Sequence, residues 1–487
     1  MPSNTNPKVP AVSYAVVDRG VRLGNDEYDT ALRCNVHDPF TGRLVGTVGQ
    51  ASADQAERAV SIAHDTLRQN LPAHERAAIL DRVAVTLTER REDIAALICA
   101  EVAKPISMAR GEVDRAIDTF RLSAAVARLS TGSVVAMDAT AAGAGKIGFT
   151  QNLPIGVVTA ITPFNFPLNL VAHKLAPALA AGCPVVLKPA PQAPLTAFVL
   201  ADILDCAGLP AGWLSVVPGT PEEIGQVIIE DPRVAAISFT GSAPVGRHIA
   251  SRATGKKILL ELGNASPAIV DADADIEFAA SVLAPNAFGF AGQTCVSVQR
   301  VYVHESVRDL FMDSLIARTE KLGVGDPTSD DVVCGPVIDD GAAEKTLTTL
   351  CEAVAAGACV RTGGLRRSDG VLLPTVISDA PQRSALMQNE AFAPVMGVAT
   401  FDHIETAISM ANDSAYGLQA SVFTSDITRA LTVMNALDFG AVLVNESPSF
   451  RTDNMPYGGT RDSGNTKEGP EWTAAELTID KLCIIAK

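Results

Sequence analysis

A chain of 487 residues exceeds what one ordinary hydrophobic core supports, so two or three domains are expected. Hydrophobic residues make up 47% and charged residues 19%, with 37 glycines and 29 prolines spread along the chain, which excludes disorder and fibrous repeats. The formal net charge of −16 repels phosphate backbones and anionic lipid, so neither nucleic acid nor a membrane surface is expected as a partner.

The chain starts with the polar run MPSNTNPKVP, which has no apolar targeting core, and no later segment reaches about 18 uninterrupted apolar residues. A cytoplasmic protein is the expectation. Ser52 to Asn70 reads as a helix opened by a capping box of Ser52 and Gln55, with Ala56, Val60, Ala63 and Leu67 on one face. Two more helices are predicted over Ala73 to Arg90 and Arg91 to Ala103, the second stopped by Pro105. Residues Ser130 to Gln151 look like an excursion from the main body.

From Ile155 to Gly263, short β-rich apolar runs alternate with helical segments: IGVVTAITP, PVVLKPA, WLSVVPG, VAAISFTG and KILLELG. Strands buried on both faces read this way, so the block predicts a parallel, doubly wound sheet of the dinucleotide type. It lacks the GxGxxG fingerprint, so its phosphate contact has another construction. A second alternating region, from about Asp271 to Val444, carries RVYVHE, PTVISD, VMGVATF, QASVFTS and GAVLVNE as strand candidates. Arg451 to Gly469 reads as a glycine-rich loop too polar for core, and ELTIDKLCIIA as a final strand that pairs elsewhere, with the 130–151 excursion as its candidate partner.

Nine cysteines, from Cys34 to Cys483, include no CxxC pair, so neither a metal-ligand set nor a disulfide framework is expected and most are expected to be buried. Cys295 differs in its company. In GFAGQTCVSVQRV it sits on a loop entering a strand, a setting for a nucleophile as well as for a structural thiol. Glu261 ends KILLELG, where a carboxylate is costly unless it faces a ligand crevice or solvent. Asn165, in ITPFNFPLNL, can aim an amide into the same crevice as an oxyanion donor, or cap a turn. Lys188 closes PVVLKPA and can meet a nucleotide or reach solvent. Thr240, Gly241 and Ser242 turn a strand into a helix start suited to a pyrophosphate, or to ordinary capping.

Taken in order and spacing, PFNFP, GCPVVLKPA, FTGS, LELGNASP, GQTC, NEAFAPV and MPYGG resemble the aldehyde dehydrogenase superfamily over nearly the whole chain. The resemblance implies two doubly wound α/β domains, one Rossmann-like for the cofactor and one catalytic, with a small β arm for oligomerisation. The implied division is 1–130 with 152–263 for the cofactor, 264–460 for catalysis, and 131–151 with 461–487 for the arm. It implies Cys295 as nucleophile, Glu261 as general base, and Asn165 with the Cys295 N–H as oxyanion hole.

For a bound NAD or NADP it implies Lys188 at the adenine ribose, Ser242 at the pyrophosphate, and Glu390 with Phe392 at the nicotinamide end. Thr162, Pro163 and Phe164 would line the cofactor side beside the first strand, with Pro191 and Gly219 after the next two. Phe239, Thr240, Gly241, Val245 and Leu262 would complete it. Three positions depart from the family pattern. Pro191 replaces a glutamate that binds both ribose hydroxyls in NAD-preferring members, which leaves NADP or dual use open. Asn264 replaces a second glycine after LELG, with only a local effect on backbone expected. Phe164 replaces a tryptophan.

SFRTDNMPYGG, with RDSG and KEG, resembles the branch of lactaldehyde, non-phosphorylating glyceraldehyde-3-phosphate, sulfoacetaldehyde and phosphonoacetaldehyde dehydrogenases. In that branch Arg451 and Arg115 would meet an anionic tail through the planar guanidinium fork, or each could form an ordinary ion pair. Thr294 and Phe166 stand where phosphonate-binding relatives place an arginine and a histidine, so the anion site is thinner. The expected substrate is a small anionic aldehyde, with phosphonoformaldehyde or phosphonoacetaldehyde first and succinate semialdehyde, sulfoacetaldehyde or lactaldehyde behind. The chain is expected to be a homodimer or homotetramer. A non-catalytic structural member of the superfamily and a cofactor-free esterase are the rival readings.

Overall fold

The computed structural model describes residues 16–486, so most of the polar start of the chain and Lys487 lie outside the described residues. The first long helix, α1 (Ala53–Thr66), opens with the anticipated capping box: the Gln55 N–H donates to Ser52 Oγ at 3.3 Å and the Ser52 N–H to Gln55 Oε1 at 3.0 Å. It is followed by α2 (Ala73–Glu89), α3 (Arg91–Val102) and α4 (Ile106–Leu129). Pro105 serves as the cap of α4, so one proline ends one helix and admits the next.

Five parallel strands form the first sheet: β1 (Val157–Ile161), β2 (Val185–Lys188), β3 (Leu214–Val216), β4 (Val234–Thr240) and β5 (Lys257–Glu261). Their spatial order is β5-β4-β1-β2-β3. Two short antiparallel strands, Val21–Leu23 and Asp26–Tyr28, extend the β3 edge and were not legible as strands. The order reverses between β1 and β4, and a crevice at the carboxyl ends of strands is expected at that switch point. Around it lie α5 (Asn169–Ala181), α6 (Pro194–Cys206) and α7 (Ala243–Arg252).

The second sheet holds β6 (Ser266–Val270), β7 (Val298–His304), β8 (Thr375–Ser378), β9 (Val395–Phe401), β10 (Gln419–Phe423) and β11 (Ala441–Val444). These run parallel in the order β8-β9-β7-β6-β10-β11, with Cys359–Thr362 antiparallel at the β8 edge. The central strand β6 escaped the sequence pattern because its five residues sit between a Gly-Asn loop and an Asp-rich turn.

Lys146–Pro154 pairs antiparallel with Thr478–Ala486 of the same chain over nine residues, and Val134–Val135 flanks it. Only 478–486 of the carboxyl-terminal stretch joins this sheet; the preceding helix Pro470–Glu476 packs on α4 and α5. Apolar side chains on both faces of the arm, among them Ile147, Ile479, Leu482, Ile484 and Ile485, are exposed. Among the described residues no helix is long and apolar enough to cross a membrane.

Candidate active site

Cys295 lies on the loop between α8 (Ile276–Phe288) and β7. The chain reaches it through Phe290, Ala291 and Gly292, all with positive φ. At Gly292 a Cβ would stand 2.2 Å from the Ala393 carbonyl oxygen, so only glycine fits. The Cys295 Sγ lies 2.8 Å from the phenolic oxygen of Tyr457. Burial pushes the thiol well above its ordinary pKa, and the nearby Glu261 charge adds to this; Tyr457 and Arg451 act in the opposite direction.

Glu261 is the last residue of β5 and is 1% exposed. Both carboxylate oxygens are buried without a hydrogen-bond partner, and burial, followed by the Glu468 charge, pushes its pKa up to about 8. Asn165, on the loop after β1, donates its Nδ2 to the carbonyl of Gln293 at 2.9 Å, two residues before Cys295. This bond uses one of the two amide hydrogens and leaves the other free. Gln293 in turn accepts the Ile338 N–H at 2.9 Å, which holds the loop from its far side.

A polar cluster continues from Tyr457. The guanidinium of Arg451 stacks over the Tyr457 ring at 3.8 Å, donates Nη2 to Glu468 at 2.9 Å, and lies 3.3 Å from His173 Nε2. That imidazole nitrogen is 2.7 Å from Asp453 Oδ1. Asp453 also accepts from Arg115 at 2.8 and 3.2 Å and from Asn169 Nδ2 at 3.1 Å. Burial raises its pKa, but His173 and then Arg115 outweigh this and hold the carboxyl well below the usual range. The anticipated anion-binding arginines therefore each face a carboxylate of the chain. Arg451 keeps a buried, unpartnered Nε, and Arg115 keeps an exposed edge, with 29% of its side chain accessible. Phe166 lies under both Lys104, at 3.6 Å from its ring centre, and Arg115, at 5.9 Å. Thr294 lies apart from this group, in a crevice with Asn264, Glu390 and Phe392.

On the switch-point side, a cleft of about 470 Å³ is lined by Ser242, Pro244, Lys345, Glu390 and Tyr416. Ser242 caps α7 without spending its hydroxyl on the helix. Gly241 closes on the Phe239 ring, where a Cβ would stand 2.5 Å from Cζ, and Leu262 packs against Gly246 of α7. Val245 faces outward on the first turn. Thr240 turns inward instead, its hydroxyl accepting Lys174 Nζ at 2.7 Å. Lys188 is nearly buried at the end of β2, which lowers its pKa, and Glu222 is the carboxylate that acts on it. Pro191 is exposed, Gly219 packs on Ile224, and the Thr162 N–H donates to the Lys188 carbonyl at 3.2 Å. Pro163 leads to Phe164, whose ring meets Phe392 edge-on with centres 5.9 Å apart.

Glu390 reaches back over Gly263, where a Cβ would stand 2.3 Å from its Oε2, and accepts the Asn264 N–H at 3.2 Å. Burial pushes its carboxyl up to about 7. Asn264 does more than shape the backbone. Its amide ties Ser266 Oγ at 2.8 Å to the Gln419 carbonyl at 3.2 Å, joining the loop to the second sheet.

Two expectations are corrected. The 451–469 loop is not a polar surface segment: Asp453, Tyr457, Ser463, Thr466 and Glu468 are buried, and antiparallel bridges join Tyr457 to Glu468 and Glu261 to Gly464. Its polarity is met by side chains of α4 and α5 rather than by water. Of the nine cysteines, all unpaired, Cys99, Cys183 and Cys334 are buried, Cys34, Cys206, Cys295 and Cys483 are half-buried, with the Cys295 sulfur against Tyr457, and Cys351 and Cys359 are exposed. His173, Lys174, Asp453, Tyr457 and Glu468 were not singled out from the sequence. The signal was present for two of them, because His173 and Lys174 interrupt the otherwise apolar run NLVAHKLAPALAA.

The aldehyde dehydrogenase family model matches residues 27–482. The 3-sulfolactaldehyde dehydrogenase of Priestia aryabhattai is 40% identical over 96% of this chain and 98% of its own. Aldehyde dehydrogenase 21 from Physcomitrella patens, solved with the reaction product succinate, superposes with a TM-score of 0.93 at 35% identity, covering 97% and 99% of the two chains. The NADP-dependent glyceraldehyde-3-phosphate dehydrogenase from Bacillus halodurans, solved with NADP, gives 0.94 at 34% identity, covering 96% and 99%. With a family model and full-length relatives both matching, the chain belongs to the aldehyde dehydrogenase family.

Proposed function

We propose that the protein oxidises a short 2-hydroxy aldehyde with an anionic group at its far end, using NAD or NADP, and releases the acid. The single observation that carries the chemistry is the convergence of the Cys295 thiol, the partnerless Glu261 carboxyl and the Asn165 amide around one loop. The Cys295 thiolate attacks the carbonyl carbon, and the oxyanion takes hydrogen bonds from the Cys295 N–H and the free Asn165 amide hydrogen. A bound nicotinamide supplies the hydride acceptor. Glu261 then removes a proton from the water that hydrolyses the thioester, for which a pKa near 8 is well suited.

Groups at the strand and helix ends around the cleft support a dinucleotide there. Ser242 keeps a free hydroxyl at the amino end of α7, Lys188 ends β2, and Glu390 stands at the far end on Gly263.

The substrate class rests on Asp453 and on the relatives. A carboxylate already fixed by Arg115, His173 and Asn169 suits a hydroxyl donor, while Arg451 Nε and the exposed edge of Arg115 suit a terminal anion. Sulfolactaldehyde and glyceraldehyde-3-phosphate, named in two relatives, both combine a 2-hydroxyl with a terminal anion. These likenesses support a sulfonated 2-hydroxy aldehyde over the short phosphonate aldehyde that the sequence pattern put first.

The exposed apolar faces of the arm support assembly with further copies of the chain as a dimer or tetramer. The test is initial rates at 340 nm with NAD and NADP over sulfonated, phosphorylated, phosphonated, carboxylated and neutral aldehydes, with and without the 2-hydroxyl. Silence across the panel would favour a non-catalytic role, and normal turnover by Cys295→Ala would end the central assignment.

A further inference from the structure

We infer that Tyr457 is a catalytic residue that donates its phenolic hydrogen to the Cys295 sulfur, with Arg451 as the positioning residue that strengthens it; this rests on the reading of Cys295 given above. When the thiol has lost its proton, sulfur can only accept, so the 2.8 Å contact becomes a phenol-to-thiolate hydrogen bond. Burial and the charges of Glu261 and Glu390 oppose the thiolate, and the groups facing the sulfur that favour it are Tyr457 and Arg451. The phenol is preorganised. Its ring is 1% exposed, packs with Val296, Leu418 and Met455, and its backbone N–H donates to the Glu468 carbonyl at 2.9 Å.

Arg451 places its guanidinium carbon over the ring, 3.8 Å from its centre, and is itself held by Glu468 at 2.9 Å. A cation over the face withdraws electron density from the phenol and makes its O–H a stronger donor. The benefit differs between the two halves of the reaction. During attack sulfur gives up charge as the C–S bond forms, so the bond raises the thiolate population while blunting its nucleophilicity. During thioester hydrolysis the C–S bond breaks, its electron pair returns to sulfur, and the donor stabilises the leaving thiolate directly.

The experiment is the pH profile of iodoacetamide labelling in the full-length protein, with the modified cysteine located by mass spectrometry. Tyr457→Phe is expected to move the Cys295 inflection up by about one to two pH units, the loss of one hydrogen bond to a charged group. Because the less stabilised thiolate is intrinsically more reactive, labelling at neutral pH is expected to slow about three- to tenfold. Arg451→Lys, which keeps the charge beside Glu468 but loses the guanidinium over the ring, is expected to move the profile in the same direction and less far. Single-turnover thioester hydrolysis is expected to slow in both. Profiles of Tyr457→Phe and the parent that superimpose, with Cys295 still the labelled residue, would overturn the inference alone. Full activity in a parent chain already alkylated at Cys295 would instead overturn the underlying function.

Discussion

Glu261 and Glu468 line the same small hole, about 10 Å³ in volume and about the size of one water, yet their surroundings push the two carboxyl pKa values in opposite directions. Lys174, 3.4 Å away, and Arg451 pull Glu468 down to about 2, while burial and the Glu468 charge push Glu261 up to about 8. A carboxyl must be ionised to act as a base, so thioester hydrolysis is expected to rise with pH through about 8. Glu468→Gln removes the like charge and frees both cations, so the rise is expected to move down by about one pH unit or more. Single-turnover hydrolysis against pH checks this, and an unmoved limb would show that another group governs it. The same variant leaves the buried Arg451 short of a partner, and thermal unfolding is expected to register a loss of about 3 kcal/mol.

Glu261→Ala is expected to separate the two halves of the reaction. Acylation of Cys295 needs no water, so one equivalent of reduced cofactor forms at a near-normal rate while steady turnover falls about a hundredfold or more. Rapid-mixing absorbance at 340 nm checks this. Equal losses in burst and turnover would assign Glu261 to the first half as well.

Arg115 and Asp453 are expected to read different parts of the substrate. Arg115→Met should lower kcat/KM for anionic aldehydes about tenfold or more relative to neutral ones, the scale of one charged hydrogen bond. Asp453→Asn should erode the preference for 2-hydroxy over 2-deoxy aldehydes by about tenfold and leave the anion preference in place. Paired kcat/KM ratios decide, and a change confined to the anion preference in Asp453→Asn would reverse the two roles.

Cofactor choice is expected to answer to Glu222. With Pro191 in place of a ribose-binding carboxylate, Glu222 is the carboxylate that acts on Lys188. Glu222→Gln is expected to raise the NADP:NAD ratio of kcat/KM about fivefold, the effect of about 1 kcal/mol of exposed repulsion. The ratio at fixed ionic strength tests it.

For the proposed assembly through the arm, Ile484→Asp, paired opposite Gly148, is expected to give a smaller species than the parent at micromolar concentration. Sedimentation velocity reads this directly, and an unchanged mass would move the interface elsewhere.

Much of the first sheet was legible because buried parallel strands need unbroken apolar runs, and VVLK and VAAISFT are such runs. The short β6 was not, because five residues between polar turns carry too little pattern. Gly292 shows the same division at one residue. Its place before Cys295 was visible, but the reason only glycine fits is the carbonyl of Ala393, a hundred residues away.

The sequence by itself determined the family, the two α/β sheets, and the candidates Cys295, Glu261 and Asn165, since each belongs to a local run with its own strand or loop signal. Tertiary structure decided how those groups are charged and what surrounds them. Tyr457, Asp453 and Glu468 sit on a segment whose polarity reads as surface, and only the packing of that segment against α4, α5 and β5 buries it. Burial and proximity set protonation and donor strength, and both are properties of long-range contacts that no local spacing records.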